Sequence, residues 1–97
     1  MILPMTTGAV HTATRTLTVR YFAAAKSAAG TPEETVAITE GATVADAVAT
    51  LRDAHGPELG RVLDRCSFLL DEVAVRDRSA ALGGAATLDV LPPFAGG

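Results

Sequence analysis

Tryptophan is absent from this 97-residue chain, and aromatic side chains make up only 4% of it. A core must therefore be built from Val, Leu and Ala. The apolar fraction of 48% supplies enough of them for one domain at the small end of the usual range. Cys66 is the only cysteine, which excludes an intrachain disulfide, a cysteine-based metal site and an iron–sulfur cluster. Beside Ser67-Phe68-Leu69-Leu70 it reads as a small buried hydrophobe rather than a nucleophile. His11 and His55 are the only histidines, and no His, carboxylate or Cys constellation of an independent active site can be assembled from the sequence.

Positive charge is also scarce. The 8 Lys and Arg residues are scattered, with no run longer than the Arg76-Asp77-Arg78 alternation. A net charge of −3 argues against nucleic acid or an anionic membrane surface as partner, since both reward a basic patch. No apolar stretch approaches the ~20 residues required to span a bilayer. Met1 to Gly8 lacks the basic and continuous apolar regions of a signal peptide. The expectation is a cytoplasmic protein that binds neither nucleic acid nor membrane. A Gly-rich phosphate loop of the Walker type is missing too, so no ATP site is expected in this chain.

What is present is a run of short elements. Residues 1–15 are small and polar, without periodicity, and read as a flexible N-terminal arm. Thr16 to Phe22 alternates as a half-buried strand does, with Leu17, Val19 and Tyr21 on one face. Ala23 to Ala29 predicts a short helical turn closed by Gly30. Glu34 to Thr39 predicts a second strand with Val36 and Ile38 inward. Thr43 and Asp46 fit a capping box, and Val44, Ala47, Val48, Leu51 and Ala54 follow as an apolar stripe, predicting a helix over 43–55 that stops at Gly56-Pro57. Leu59, Val62 and Leu63 suggest a shorter second helical turn. Phe68-Leu69-Leu70 and Val73-Ala74-Val75 are two short extended pieces, and Thr87 to Leu91 is the last strand. The fold class is α+β, a mixed sheet covered on one face by one main helix, with a domain over 16–93 and a flexible tail over 94–97.

Alternation puts Phe22 on the outward face of the first strand and Leu91 on that of the last. With those strands adjacent, the two residues and Phe94 form an apolar patch leading to the tail, the kind of surface that marks a partner site. Pro92-Pro93 cannot donate to a ladder, so the sheet ends there and the outgoing chain stays extended. Beyond it come Gly96-Gly97, whose lack of Cβ atoms suits a chain that threads a narrow channel and presents the main-chain carboxylate of Gly97 to another protein's active site.

Val19-Arg20-Tyr21-Phe22-Ala23 with Lys26 and Gly30, then Thr43-Val44, then Leu91-Pro92-Pro93-Phe94-Ala95-Gly96-Gly97, together resemble the small subunits of molybdopterin synthase. These belong to the ubiquitin-like sulfur carriers, which have the β-grasp fold. The resemblance covers roughly residues 16–97. It implies that Gly97 is adenylated by a separate ATP-using enzyme, converted to a thiocarboxylate, and used to donate sulfur to a pterin precursor held by the large synthase subunit, in a heterotetramer. It implies no bound cofactor in this chain. It also implies a docking surface of Phe22, Leu91, Pro92, Pro93 and Phe94, a tail laid flat by Gly96, and a basic position at Lys26. The family often carries an Asn-Gly turn in its central hairpin, where Asp71-Glu72 stands here. Sulfur carriers for thiazole, cysteine or tRNA thiolation share the tail chemistry, as does a ubiquitin-like protein modifier. A non-reactive β-grasp interaction module is the alternative from a different class.

Overall fold

The computed structural model describes residues 13–93. The expected arm up to residue 12 and the tail from Phe94 onward lie outside them. The first strand, β1 (Thr14–Tyr21), starts ahead of the alternating run, because Thr14 and Arg15 already pair with Thr39 and Ile38. After it come α1 (Ala23–Ala29), β2 (Glu33–Thr39), α2 (Val44–His55), α3 (Pro57–Leu63), β3 (Ser67–Leu70), β4 (Val73–Ala74) and β5 (Thr87–Leu91).

The strands form one five-stranded mixed sheet in the order β2-β1-β5-β3-β4. At its centre β1 and β5 run parallel, with Val19 opposite Leu88 and Tyr21 opposite Val90. All other pairs are antiparallel. A parallel pair cannot be joined by a tight turn, and here most of the domain, including all three helices, lies between its two strands.

Helices cover one face only. Val44, Ala47, Val48 and Leu51 of α2, with Leu59 and Leu63 of α3, form a single core with Leu17, Val19, Tyr21, Phe68, Leu88 and Val90 of the sheet. Burying each such large side chain contributes about 1.5–3 kcal/mol. Ala54, expected in the same stripe, is exposed, because the stripe has rotated away from the sheet by the last turn of α2. Gly60 allows α3 to approach α2 closely: a Cβ there would lie 3.2 Å from Arg52 Cγ.

The capping box of α2 is formed as the sequence indicates. Thr43 Oγ1 accepts from the Asp46 amide, and Asp46 Oδ2 accepts from the Thr43 amide. The amides of Val44 and Ala45 donate to the carbonyls of Ala80 and Arg78, so the helix start is also tied to the long loop before β5. Arg78 fixes that loop from its other side. Its guanidinium lies 4.7 Å from the Phe68 ring centroid and donates to the carbonyls of Leu63 and Cys66.

The β3–β4 hairpin departs from the usual turn composition without losing the geometry. Leu70 pairs with Val73, leaving Asp71 and Glu72 as a two-residue loop, both at positive φ (47° and 71°). That is the conformation an Asn-Gly turn adopts at little cost. Here Asp71 is held by cross-links to β5: its amide donates to Thr87 O, and its Oδ1 accepts from the amides of Ala86 and Thr87.

Candidate functional site

The candidate site is the end of the sheet where β1 and β5 finish side by side. Tyr21 and Val90 are in register, so Phe22 and Leu91 follow at the same level on adjacent strands. The Phe22 amide donates to Val90 O at 3.2 Å, extending the parallel ladder by one bond. Ala23 then turns at φ 52°, a left-handed conformation that alanine adopts only under constraint. This sharp exit into α1 leaves the Phe22 ring outside the core, 41% exposed.

Leu91 is half-buried rather than fully outward. It sits on a central strand, flanked by β1 and β3, and its neighbours shade it. Pro92 is half-buried and Pro93 exposed. Both line a groove with Ala24 of α1 and with Arg61, Val62 and Arg65 in and just after α3. The arginines of this groove carried no sequence signal, because only the fold brings α3 to the exit of β5. Lys26 is exposed one turn beyond Phe22, its amide directed at Phe22 O. Phe22, Leu91, Pro92, Pro93 and Lys26 thus gather around one corner of the domain. Phe94, Gly96 and Gly97 lie outside the described residues.

The open face of the sheet adds an ion pair that sequence reading missed. Asp89, 4% exposed, points away from the helices and is covered by Arg20, whose Nε and Nη2 meet its two carboxylate oxygens at 2.6 and 2.8 Å. The hydrogen bond to Asp89, together with its charge, raises the Arg20 pKa further above its ordinary value. Leu69 and Leu91 lie on the same face of β3 and β5, so the pair is set in a partly apolar surface.

On the opposite side, Glu34 Oε2 receives the Tyr21 hydroxyl and faces His55 Nε2, each at 2.5 Å. Burial opposes ionisation of Glu34, but the bonds from Tyr21 and His55 outweigh it and hold the carboxyl below its ordinary range. Burial and that same carboxylate push the Tyr21 phenol well above its usual value. Cys66 is the buried hydrophobe expected: its thiol donates to Val62 O at 3.2 Å, and burial raises its pKa to about 11. Among the described residues no three His, Cys, Asp or Glu side chains gather as metal ligands, and no helix is long and apolar enough to cross a membrane.

The sequence matches the ThiS family over residues 19–97. The chain belongs to that family. Its members are the ubiquitin-like sulfur carriers that the sequence resembles, and the match runs through Gly97. A curated relative, the molybdopterin synthase sulfur carrier subunit of Chlamydomonas reinhardtii, is 35% identical over 80 residues, covering 81% of this chain and 95% of that one. The crystal structure of small archaeal modifier protein 1 from Haloferax volcanii superposes with a TM-score of 0.74 at 28% identity, covering 86% of this chain and 100% of that one. The solution structure of the protein of the same name from Methanosarcina acetivorans gives a TM-score of 0.71 at 24% identity, covering 88% and 99%. The mixed sheet with its helical layer is therefore the ubiquitin-like β-grasp fold.

Proposed function

We propose that this ThiS-family chain is the sulfur-donating subunit of a molybdopterin synthase, with the main-chain carboxylate of Gly97 as its reactive group. The observation that carries this reading is a family match that includes Gly97, together with a curated relative of that name. A partner adenylating enzyme uses ATP to place AMP on the Gly97 carboxylate, with pyrophosphate leaving. A sulfur donor displaces AMP and leaves a thiocarboxylate. Sulfur is then a soft nucleophile near neutral pH, and it attacks the pterin precursor held in the large synthase subunit. Two carriers are used for each dithiolene, in keeping with a heterotetramer.

Within this scheme the chain's own residues dock and deliver. Phe22 and Leu91 supply apolar contact at the corner where β1 and β5 end, and Lys26 offers a charge beside them. Pro92 and Pro93 direct the outgoing chain away from the sheet. Phe94 adds a further apolar contact, and Gly96 lets the tail lie flat in a channel. The chain binds no cofactor itself.

Incubation with a competent adenylating enzyme, ATP and a sulfur source, followed by intact mass measurement, tests the chemistry. The expected product has one oxygen replaced by sulfur, and loses that change when Gly97 is deleted. An unchanged mass with several competent enzymes favours a non-reactive interaction module. Carriers for thiazole, cysteine or tRNA thiolation would pass this test equally, and binding to the large synthase subunit separates them. A second reading, a protein modifier joined to amines through Gly97, is supported by the modifier names of the solved relatives.

A further inference from the structure

Among the described residues, β2 is hydrogen-bonded on one side only, to β1, and forms an edge of the sheet. Sheet edges are ordinarily protected by lysine, proline, a bulge or brevity. β2 has none of these. It is seven residues long, Glu33 to Thr39 contains neither lysine nor proline, and its register against β1 is unbroken. The Tyr21 amide donates to Pro32 O and the Glu40 amide to Ala13 O, so by alternation Glu34, Val36 and Ile38 also bond to β1. Glu33, Thr35, Ala37 and Thr39 therefore direct their backbone groups outward. The Thr31 hydroxyl donates to Glu33 O and the Ala42 amide to Thr39 O. What stays open is the amide and carbonyl of both Thr35 and Ala37, in the middle of the strand.

The surroundings of this edge have a definite chemistry. Ala37, Ile38 and Thr39 line a groove of about 270 Å³ with Asp46, Ala47 and Thr50 of α2. No lysine or arginine occurs between Lys26 and Arg52, whereas Glu33, Glu34, Glu40 and Asp46 all fall there. Arg20, opposite Glu33 on β1, is committed to Asp89, and Arg15 to the carbonyls of Gly83 and Ala85. Glu34 is engaged by Tyr21 and His55. The exposed acids stand at the two ends of β2, Glu33 at its start and Glu40 just past its end, with Thr35 to Thr39 neutral between them.

We propose that the β2 edge docks an extended cationic segment of a partner protein, which adds to the sheet as a further strand. The segment's backbone pairs with Thr35 and Ala37, and an aliphatic side chain on its helix-facing side enters the groove beside Ile38 and Ala47. Lysines or arginines near its ends meet Glu33 and Glu40. A second copy of this chain is the poorer occupant, because antiparallel pairing of β2 with itself sets Glu33 of each chain beside Glu40 of the other. The groove lies at the end of the sheet opposite Phe22, so this contact is separate from the delivery corner and does not depend on the chemistry at Gly97.

The test adds a blocked peptide, Lys-Lys-Val-Thr-Val-Lys-Lys, to the full chain and reads amide hydrogen exchange and chemical shifts by NMR. In the chain alone the Thr35 and Ala37 amides are expected to exchange freely; the peptide protects them and shifts the signals of β2 and the groove. Ala37→Pro removes one outward donor without touching the β1 ladder, and is expected to weaken binding at least ~10-fold. Glu33→Gln combined with Glu40→Gln acts in the same direction, as does added salt. A glutamate-ended counterpart and the same peptide N-methylated along its backbone are expected not to bind. If Ala37→Pro loses the folded spectrum, the N-methylated peptide still decides whether backbone pairing holds the segment. No shift at millimolar peptide overturns the proposal, as does equal binding by the N-methylated peptide or undiminished binding by the double glutamine variant. Thr35 and Ala37 amides already protected in the chain alone overturn it too: protection at every concentration assigns the edge to residues 1–12 of the same chain, and protection that fades on dilution assigns it to a second copy.

Discussion

The Tyr21 hydroxyl meets Glu34 Oε2 at 2.5 Å, joining the buried face of β1 to β2 through a carboxylate that also faces His55 at the end of α2. Because these bonds hold the folded Glu34 carboxyl below its ordinary range, the sign of its linkage to pH follows. The stabilisation is complete above the unfolded carboxylate value and is lost as pH falls through the lower folded value. Urea denaturation across the acid range measures it. Glu34→Gln is expected to flatten the acid-side decline in stability by a fraction of the ~1.4 kcal/mol per pH unit that a one-proton difference allows. An unaltered decline would place the acid sensitivity elsewhere.

Glu72 sits at φ 71° without the hydrogen bonds that hold Asp71 to β5. Glycine adopts that conformation freely, so Glu72→Gly is expected to stabilise the domain by roughly 0.5–1 kcal/mol. Asp71→Gly relieves the same strain but removes the two bonds that its carboxylate accepts from the amides of Ala86 and Thr87, and is expected to destabilise it. Thermal denaturation of the two variants side by side checks the opposite signs.

Phe22 is exposed and Leu91 half-buried, so charge at either position tests docking more than folding. Phe22→Glu is expected to weaken binding to the large synthase subunit at least ~30-fold, corresponding to a lost anchor of about 2 kcal/mol or more. The circular dichroism spectrum should remain that of the folded domain. Leu91→Glu should act in the same direction with a larger cost to stability. Titration calorimetry against the large subunit reads the affinities, and undiminished binding by both variants would move the docking surface elsewhere.

Much of the architecture was legible because local signals agreed with one another. The capping box and apolar stripe marked α2 to within a residue, and alternation placed Leu17, Val19 and Tyr21 inward on β1. What the sequence hid were pairings between distant residues. An aspartate in the last strand reads as solvent-facing. Asp89 is buried because topology sets Arg20, on a strand 69 residues away, directly over it. His55 had no recognisable context until the end of α2 met Glu34 on β2. Asp71-Glu72 lacked turn glycine, and the hydrogen bonds that stand in for it come from residues 86 and 87. The corner around Phe22 was legible from the alternation of two strands. Its groove with Arg61 and Arg65 was not, since nothing local reports that α3 packs beside Pro92.

The most direct test of the central claim is genetic complementation scored by molybdenum-cofactor content. In cells lacking their native carrier and supplied with the matching large subunit, the full chain is expected to restore the cofactor. A version without Gly97, present at the same level and with the same denaturation midpoint, should restore none. Full restoration by that shortened chain would contradict the account, because the reactive carboxylate would then lie somewhere other than on Gly97.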